Sequence, residues 1–286
     1  MHWKTKARIF RLLSALPLGA QVHYLLQRHV TREWPRRAGY LDELLAAATR
    51  LFSDADARMD VRHSHFVEIG AGRDMAVAVA LRLMGVRRIT CVDIDRLARL
   101  DLVEHAARYM ASRLGVPAPS LRNWQDLRDF GIEYVAPAEL ASVRLADGSV
   151  DCFYSVDTLE HIPRPALEKL FAEVLRILKP QGLAINFIDY GDHYARGDAG
   201  LQFNFLTFSD EAWKPYNSKF QYVNRLRHSE FLELFAQAGF RALAVQPHVE
   251  APPAEVVQRL DARFHRFSME DLFTVRAKIV AVPAAE

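Results

Sequence analysis

The chain has 286 residues, of which half are apolar and a quarter are charged, and its formal net charge is +2. This length can bury a full core in one domain with additions. The composition is ordinary for a globular protein, and the charge offers no general case for nucleic-acid binding. No apolar run approaches the roughly 20 residues of a membrane-spanning helix. A short apolar stretch at 12–20 contains Pro17 and Gly19 and no cleavage motif follows it, so we expect no signal peptide.

Residues 1–58 carry helical patterns that are broken twice, around Pro17 and around Pro35. Basic and apolar side chains alternate before the first break, and residues 40–52 form a clear amphipathic pattern after the second. We predict that 1–58 is an N-terminal helical cap over the rest of the chain. Plain structural packing is one alternative, and contact with a membrane surface or a partner is the other.

Strand and helix patterns alternate through residues 59–286. The predicted strands lie near 65–69, 88–94, 132–136, 150–156, 182–189, 241–249 and 274–282, and the predicted helices near 75–84, 96–114, 165–178 and 228–238. Such alternation predicts an α/β fold with right-handed crossovers. We expect a doubly wound, mostly parallel seven-stranded sheet with helices on both faces.

A glycine motif follows the first predicted strand. The strand carries Glu68 and leads into Gly70 and Gly72, and Asp93 stands near the end of the second strand. Glycines let the backbone approach a ligand closely, and an acid after the second strand can accept hydrogen bonds from ribose hydroxyls. A dinucleotide site requires a third glycine three residues after the second one, but Met75 stands there.

The order of these motifs resembles the S-adenosylmethionine-dependent methyltransferases of the Rossmann-like, class I family. Three segments carry the resemblance beyond the glycines, and they are 147–155, Leu159-Glu160-His161-Ile162-Pro163 and Leu178-Lys179-Pro180-Gln181-Gly182. The resemblance implies S-adenosylmethionine as cofactor and a final strand inserted antiparallel. It also places another strand between those of Cys91 and Cys152, so we expect no disulfide, which fits a reducing cytoplasm.

The resemblance also implies a set of cofactor-binding residues: Glu68, Gly70, Ala71, Gly72, Asp74, Asp93, Ile94, Ser155, Val156 and Asp157. It places Glu68 near the cofactor's amino group, Asp93 on the ribose and Ile94 against the adenine. Asp74 departs from the family, which usually has a glycine there; this residue either caps the following helix or meets the positive end of the cofactor. The family's acidic residue after the third strand, which recognises the adenine amino group, is also missing here. Backbone groups are therefore expected to recognise the adenine.

Residues 190–227 form an insertion after the fifth strand that is too long for an ordinary connection. It contains nine aromatic residues and a basic segment. We predict a substrate-binding lid, with Tyr190, Tyr194, Arg225 and Arg227 as its contacts. The alternative is a structural subdomain with a small core of its own.

Methyl transfer is an in-line displacement that needs alignment, exclusion of water and sometimes a base. His193 and His161 are the candidate bases, and Asp189 is predicted to act with them. A structural role at a helix start is the alternative for His161. Asp189, Asp192 and His193 also have weak metal-binding character, but no metal is predicted.

These observations predict a cytoplasmic S-adenosylmethionine-dependent methyltransferase that acts on oxygen in a small-molecule or sugar-like acceptor. A non-catalytic cofactor-binding protein of the same fold and an NAD-dependent oxidoreductase are the alternatives. A nucleic-acid methyltransferase is disfavoured, because residues 155–158 lack the Asn/Asp-Pro-Pro-aromatic tetrad of many such enzymes. We expect no nucleic-acid partner and no transmembrane segment, with contact between the N-terminal helix and a membrane surface as a minor alternative. The acceptor and the oligomeric state are not indicated.

Overall fold

A single seven-stranded sheet organises the protein in a computed structural model that describes residues 2–197 and 199–284. Its strands are β1 His65–Ile69, β2 Arg88–Val92, β3 Ile132–Val135, β4 Val150–Val156, β5 Leu178–Asp189, β6 Phe240–Val249 and β7 Thr274–Pro283. Their order is β3-β2-β1-β4-β5-β7-β6. Strands β1 to β5 run parallel to one another, and β7 is antiparallel to both β5 and β6. The predicted fold class and the inserted antiparallel strand are confirmed.

The helices cover both faces of this sheet. They are α1 Trp3–Ser14, α2 Gly19–His29, α3 Ala38–Asp56, α4 Ala76–Met84, α5 Leu100–Leu114, α6 Trp124–Asp129, α7 Arg164–Ile177, α8 Asp210–Trp213, α9 His228–Gln237, α10 Ala254–Val257 and α11 Met269–Leu272. Apolar side chains of α3, α4 and α5 share one buried cluster on one face, and those of α7 and α9 share another on the opposite face. No described helix is long and apolar enough to cross a membrane.

Strand β1 is central, and its parallel neighbours explain where the site lies. Glu68 of β1 is in register with Cys91 of β2 and with Tyr154 of β4. Because parallel strands end at the same edge of a sheet, the loops after β1, β2, β4 and β5 meet there. Cys91 and Cys152 are buried free thiols on strands separated by β1, as expected.

Strand β5 begins at Leu178, four residues before its predicted start. Val150 of β4 pairs with Leu178, and the register then shifts so that Cys152 pairs with Leu183. The irregularity accommodates the Lys179-Pro180-Gln181-Gly182 segment inside one strand. Sequence patterns miss such a bulge because Pro and Gly ordinarily end a strand.

A third buried cluster lies outside the two sheet faces. It joins aromatic residues of the insertion 190–227 to the segment 250–273 between β6 and β7, and it also contains Ala7 of α1. Helix α3, by contrast, belongs to the main core, because Leu41, Ala48 and Leu51 are fully buried there. The N-terminal region therefore packs in two places, one on the sheet and one on the insertion.

Candidate active site

The glycine loop after β1 adopts the conformation that its residues predict. Gly70 and Gly72 have φ angles of 73° and 72°, in the left-handed region that glycine occupies without strain. A Cβ on Gly70 would lie 2.3 Å from Thr158 Cγ2, whereas a Cβ on Gly72 would meet no atom within 4 Å. Gly70 is therefore required for packing against the loop after β4, and Gly72 exposes backbone on an open side.

Asp74 lies at the start of α4 and is buried there. It directly precedes Met75, the N-cap residue of α4, which has no side-chain capping bond, so the expected capping role is not formed. Burial raises the pKa of Asp74, and the Arg36 guanidinium, 2.9 Å away, opposes that rise. Arg36 in turn lies 4.4 Å from the ring centroid of Trp34 and 4.1 Å from that of Tyr40. The N-terminal region thus reaches the glycine loop through one buried ion pair.

Asp93 presents a buried hydrogen-bond acceptor after β2. It is 5% exposed, and its Oδ2 has no hydrogen-bond partner among the described residues. Burial raises the pKa of Asp93 to about 6, although hydrogen bonds from the Tyr134 hydroxyl and the Ala71 N–H oppose the shift. The next residue, Ile94, is 71% exposed. An unpaired carboxylate oxygen beside an exposed apolar side chain fits the hydroxyls and base of a nucleoside.

Glu68 lies beneath the glycine loop rather than at its surface. It is buried, and its Oε2 accepts hydrogen bonds from the Tyr154 hydroxyl at 3.1 Å and the Cys91 thiol at 3.4 Å. Burial raises the pKa of Glu68 to about 8. The carboxyl group is thus held in the interior in a largely protonated state, and this arrangement offers no direct contact with the amino group of a cofactor.

The end of β4 combines a buried residue with a strained one. Ser155 is buried, and its hydroxyl donates to Asn186 Oδ1 at 2.8 Å, so its side chain is already engaged within the sheet. Asp157 has a φ of 48°, which a non-glycine residue rarely adopts, and its N–H donates to the Phe187 carbonyl. Such strain at a strand end is frequent at functional sites.

A cavity of about 200 Å³ lies between α3 and the carboxyl ends of β4 and β5. Val156, Asp157 and Phe187 line one side, and the cationic side chains of Arg50, Arg276 and Lys278 lie around it. Lys278 is paired with Asp54 at 2.6 Å. Arg276 faces Asp189 across the β5–β7 ladder. The cavity is therefore an open polar pocket at the edge where the strand ends meet.

The predicted catalytic residues lie together in the loops after β4 and β5. His193 is 4% exposed, and its Nε2 lies 3.5 Å from Asp189 Oδ2. The rings of His193 and His161 have centroids 4.8 Å apart. His161 Nδ1 lies 2.6 Å from the carbonyl oxygen of Tyr222, which orients its ring. The loops after β4 and β5 thus bring two histidines and a carboxylate to one place.

Asp192 does not join this group. Its carboxylate accepts hydrogen bonds from the backbone N–H groups of Tyr194 and Phe205, which organise the insertion. Burial raises its pKa to about 7. The metal-binding combination of Asp189, Asp192 and His193 is therefore not formed, and Glu160 takes the place of Asp192 beside the two histidines.

The four predicted substrate contacts of the insertion lie in the interior. Tyr190 and Tyr194 are buried, and their hydroxyls bond to His228 Nδ1 and to the Tyr216 carbonyl. Arg227 is 1% exposed and donates to three backbone carbonyls, those of Leu226, Leu272 and Tyr190, at 3.2, 3.1 and 2.8 Å.

Arg225, also buried, donates to the carbonyls of Phe205 and Phe208. The substrate roles expected of these four residues are thus corrected to structural ones. Their polar groups satisfy the turns of the insertion, which leaves no face open to an acceptor.

The insertion and the N-terminal helices form one cover. The Trp3 ring packs among Tyr194, Phe208, Trp213 and Tyr216, with centroid distances from 4.8 to 6.0 Å. His23 of α2 stacks on Phe220 at 4.7 Å with an interplanar angle of 5°. Lys219 pairs with Asp95, two residues after Asp93, at 3.2 Å. Most of the insertion's aromatic residues therefore hold the cover together rather than face a ligand.

Four residues near the site were not predicted from the sequence, and they are Arg36, Tyr134, Glu160 and Arg276. The period-2 pattern of β3 could have found Tyr134, since it is in register with Cys91 and reaches toward the end of β2. No local signal marks Arg36, whose partner lies on another element. The partners of Glu160 and Arg276 likewise come from remote segments of the chain.

Comparisons with known proteins agree with this geometry. The sequence model of a family described as a methyltransferase domain matches residues 67–186. No curated protein matches the chain significantly. A Bacillus halodurans protein described as a candidate methyltransferase has a similar structure, with a TM-score of 0.50 and 12% identity; the match covers 84% of this chain and 99% of that one.

Two further structures have the same general form. An S-adenosylmethionine-dependent methyltransferase of Methanosarcina mazei has 15% identity and a TM-score of 0.48, covering 81% of this chain and 97% of that one. A geranyl diphosphate C-methyltransferase of Streptomyces coelicolor has 16% identity and a TM-score of 0.46, covering 88% and 86%. Residues 67–186 match the model of a methyltransferase domain, and the α/β fold of the chain is that of class I S-adenosylmethionine-dependent methyltransferases.

Proposed function

We propose that this enzyme transfers a methyl group to an oxygen atom of a small-molecule acceptor, at the carboxyl ends of β4 and β5. The observation that carries the proposal is the His193–Asp189 pair after β5, where the cavity of about 200 Å³ is lined by Ile188, next to Asp189, and by Arg276, its partner in the β5–β7 ladder. A cavity of that size suits a small ring or a sugar-like group. A paired histidine suits the removal of a hydroxyl proton near neutral pH.

The cofactor side of the proposal uses the loops after β1 and β2. Asp93 Oδ2, buried without a partner among the described residues, is proposed to accept hydrogen bonds from the ribose hydroxyls. Gly72 and Ala71 offer backbone to the cofactor, and exposed Ile94 covers one face of the adenine. When bound, S-adenosylmethionine supplies an electrophilic methyl group on a sulfonium.

Three other predicted cofactor contacts take indirect roles in this proposal. Asp74 lies just before α4 and pairs with Arg36, so it is proposed to support the glycine loop instead of touching the ligand. Glu68 supports the same loop from below. Ser155 stabilises the ends of β4 and β5 through Asn186. Val156 and Asp157, which line the cavity, are proposed to separate the cofactor from the acceptor.

On the acceptor side, His193 takes the hydroxyl proton and Asp189 orients the imidazole. The Asp189 Oδ1 accepts a hydrogen bond from the Gly191 N–H at 2.8 Å, which holds the carboxylate, while its Oδ2 faces His193 Nε2. A carboxylate beside a histidine favours the protonated imidazole that forms as the proton moves. His161 packs against this ring and limits its rotation.

We propose that the cover limits the access of water to the methyl-transfer site. We propose residues 1–58 as the cap and residues 190–227 as the lid, joined through the aromatic contacts of Trp3 and His23. Exclusion of water protects the sulfonium and strengthens the electrostatic interactions around it. Because the aromatic residues of the lid are largely committed to this packing, the acceptor is expected to contact α3 and the strand ends.

Two measurements test the proposed function. Saturation with S-adenosylhomocysteine at about 100 times its dissociation constant should stabilise the fold by ~2.7 kcal/mol, whereas NAD at the same concentration should not. Incubation with S-adenosylmethionine labelled in its methyl group and pools of phenols, hydroxy acids and sugars should then yield labelled methyl ethers. Absence of stabilisation, or label found on carbon or nitrogen alone, would contradict the proposal.

A further inference from the structure

Glu160, His161 and His193 form a compact group of metal-binding side chains, which we call the EHH cluster. One ligand atom from each residue lies within 4.8 Å of the other two. Glu160 and His161 belong to the 3-10 turn Leu159–His161 after β4, and His193 begins the turn His193–Gly197 after β5. Because β4 and β5 are paired neighbours, their turns are held side by side by the sheet.

The hydrogen bond of His161 sets the tautomer of its ring. His161 Nδ1 lies 2.6 Å from a backbone carbonyl oxygen, which can only accept, so Nδ1 carries the proton and Nε2 presents a lone pair. Metal-binding histidines usually have this arrangement, in which the nitrogen remote from the ion donates to a carbonyl or a carboxylate. The same Nε2 lies 3.8 Å from Glu160 Oε1.

The nitrogen of His193 provides a second, independent observation. Its side chain is 4% exposed, and Nε2 has no hydrogen-bond partner among the residues that the structure describes. The neighbouring Asp189 Oδ2, at 3.5 Å, is an ion-pair distance away. A buried polar atom without a hydrogen bond destabilises the fold, and a bound cation would remove that cost.

The spacing is close to that of an occupied site. Zinc–nitrogen bonds of about 2.0–2.1 Å in a tetrahedron place the ligand atoms roughly 3.4 Å apart. The outer limit of 4.8 Å in the EHH cluster therefore requires a contraction on the order of 1 Å. Rotation of the side chains can provide such a movement without a shift of the strands.

We propose that the EHH cluster binds one divalent transition-metal ion, with Zn²⁺, Co²⁺ and Mn²⁺ as the fitting class. Two imidazoles and one carboxylate suit such borderline ions, whereas Mg²⁺ and Ca²⁺ prefer oxygen ligands alone. Three protein ligands leave a coordination position open, as in catalytic zinc sites. The inference that the cluster binds an ion depends on the geometry of the cluster alone, and only the role of the ion rests on the proposed function.

That role is to hold the acceptor oxygen and make its hydroxyl more acidic. The hydroxyl proton then passes to the carboxylate of Asp189, whose Oδ2 lies 3.5 Å from His193 Nε2. The oxygen forms its bond to the methyl carbon while the carbon–sulfur bond breaks, and the electron pair of that bond stays on sulfur. His193 acts as the base only in the ion-free protein, since Nε2 cannot both hold an ion and accept a proton.

Titration of metal into the untagged full-length protein tests the site directly. After treatment with a chelator and dialysis, Co²⁺ alone is added and its visible absorption is followed, and Zn²⁺ binding is measured by calorimetry. We expect one equivalent per chain. His161→Gln and His193→Gln should each weaken binding by about 10-fold or more, because each removes one of three ligands.

His228→Gln is the matched control, since His228 is a buried histidine whose Nδ1 is already bonded to Tyr190 outside the cluster. It should bind metal as the parent protein does. His161→Gln also guards against misfolding, because the side chain of His161 is 39% exposed. Circular dichroism checks that each variant is folded.

Absence of saturable binding at about 1 mM metal, a concentration that fills even sites with dissociation constants near ~10⁻⁴ M, would overturn the proposal. Binding that survives both substitutions would place the ion elsewhere and would overturn it as well. Failure of the proposed function has a different signature. Protection by S-adenosylhomocysteine would then be absent while metal binding persisted, whereas failure of the metal site alone would leave that protection intact.

Discussion

The two halves of the proposed site, one for the cofactor and one for the acceptor, are built in different ways. The cofactor half consists of short loops after β1 and β2, and its main residues, Gly70, Gly72 and Asp93, lie within 24 residues of one another in the sequence. The acceptor half draws on α3, the strand ends, the insertion and β7. The cofactor half is formed by residues that are close together in the sequence, whereas the acceptor half is formed by packing between distant segments. Substitutions in the cofactor half should therefore alter ligand affinity, and those in the cover should alter stability.

Replacement of Arg227 should have the largest effect, and that effect should be on stability. Arg227→Met removes the side-chain donors for three backbone carbonyls, so we expect the free energy of unfolding to fall by about 3–5 kcal/mol in urea titrations. S-adenosylhomocysteine affinity of the folded protein should be unchanged. Arg266→Met, at an exposed position, is the control. A stable Arg227→Met protein with poor turnover would restore the substrate role.

Removal of the Trp3 ring should loosen the cover. Trp3→Ala deletes a side chain that packs among four aromatic rings, and for this partly buried residue we expect a loss of about 2–3 kcal/mol in the free energy of unfolding. Limited proteolysis should cut the N-terminal helices first. Arg8→Ala, at an exposed position of the same helix, should behave as the parent. Equal proteolysis rates in Trp3→Ala and the parent would show that α1 is not held through this ring.

Asp93→Asn should separate binding from folding. The substitution removes the negative charge of the side chain that is proposed to accept hydrogen bonds from the ribose. The dissociation constant of S-adenosylhomocysteine should therefore rise by about 10- to 100-fold in calorimetry, or ~1.5–3 kcal/mol. Stability without ligand should not fall above pH 6, because the variant lacks a buried carboxylate whose pKa is raised to about 6. Asp95→Asn is the control, because the side chain of Asp95 is 49% exposed. Unchanged affinity would remove Asp93 from the cofactor site.

Glu68 makes the stability of the cofactor half depend on pH. Burial raises its pKa from 4.5 to about 8, so the folded state binds more protons than the unfolded state between those values. Stability without cofactor should therefore fall as pH rises from 4.5 to 8, by at most ~1.4 kcal/mol per pH unit from this group.

Unfolding in urea at pH 5, 6.5 and 8 measures this slope, and Glu68→Gln should flatten it. Glu104→Gln, which changes a partly exposed side chain of α5, should leave the slope as it is. A parallel decline in the parent and the Glu68→Gln variant would assign the pH dependence to other buried carboxyls, such as Asp192.

Lys219→Ala should have the smallest effect. Its ion pair with Asp95 joins the insertion to the end of β2, but the two side chains are 67% and 49% exposed. Solvent screens such pairs, so we expect a change below about 0.5 kcal/mol in thermal unfolding. A larger loss would show that this pair, and not the aromatic packing, closes the cover over the cofactor half.

Particular residues show how much of the structure can be predicted from the sequence. Alternation of elements predicted all seven strands of the sheet, because period-2 and period-3.6 patterns reflect burial on each face. Local spacing placed the glycine loop and Asp93, since their positions depend on one strand-to-helix turn. The partnership of Asp74 with Arg36 could not be predicted, because the N-terminal helices could pack on several surfaces.

The insertion shows the opposite case. Its aromatic and arginine residues suggested a ligand-facing lid, but their side chains are satisfied inside a small core shared with 250–273 and α1. Composition alone does not reveal whether an aromatic side chain faces a ligand or a neighbour. That choice depends on which remote segment covers it.

The amino-acid sequence by itself determined the methyltransferase framework and the cofactor half, because both arise from contacts between residues near in the chain or from strand periodicity. Only the tertiary structure decided the acceptor half: it buried Arg225 and Arg227, and it brought Glu160, His161 and His193 together from two separate loops. The physical reason is that a buried polar group is stabilised by whichever partner the packing supplies, and the packing is settled by the whole chain.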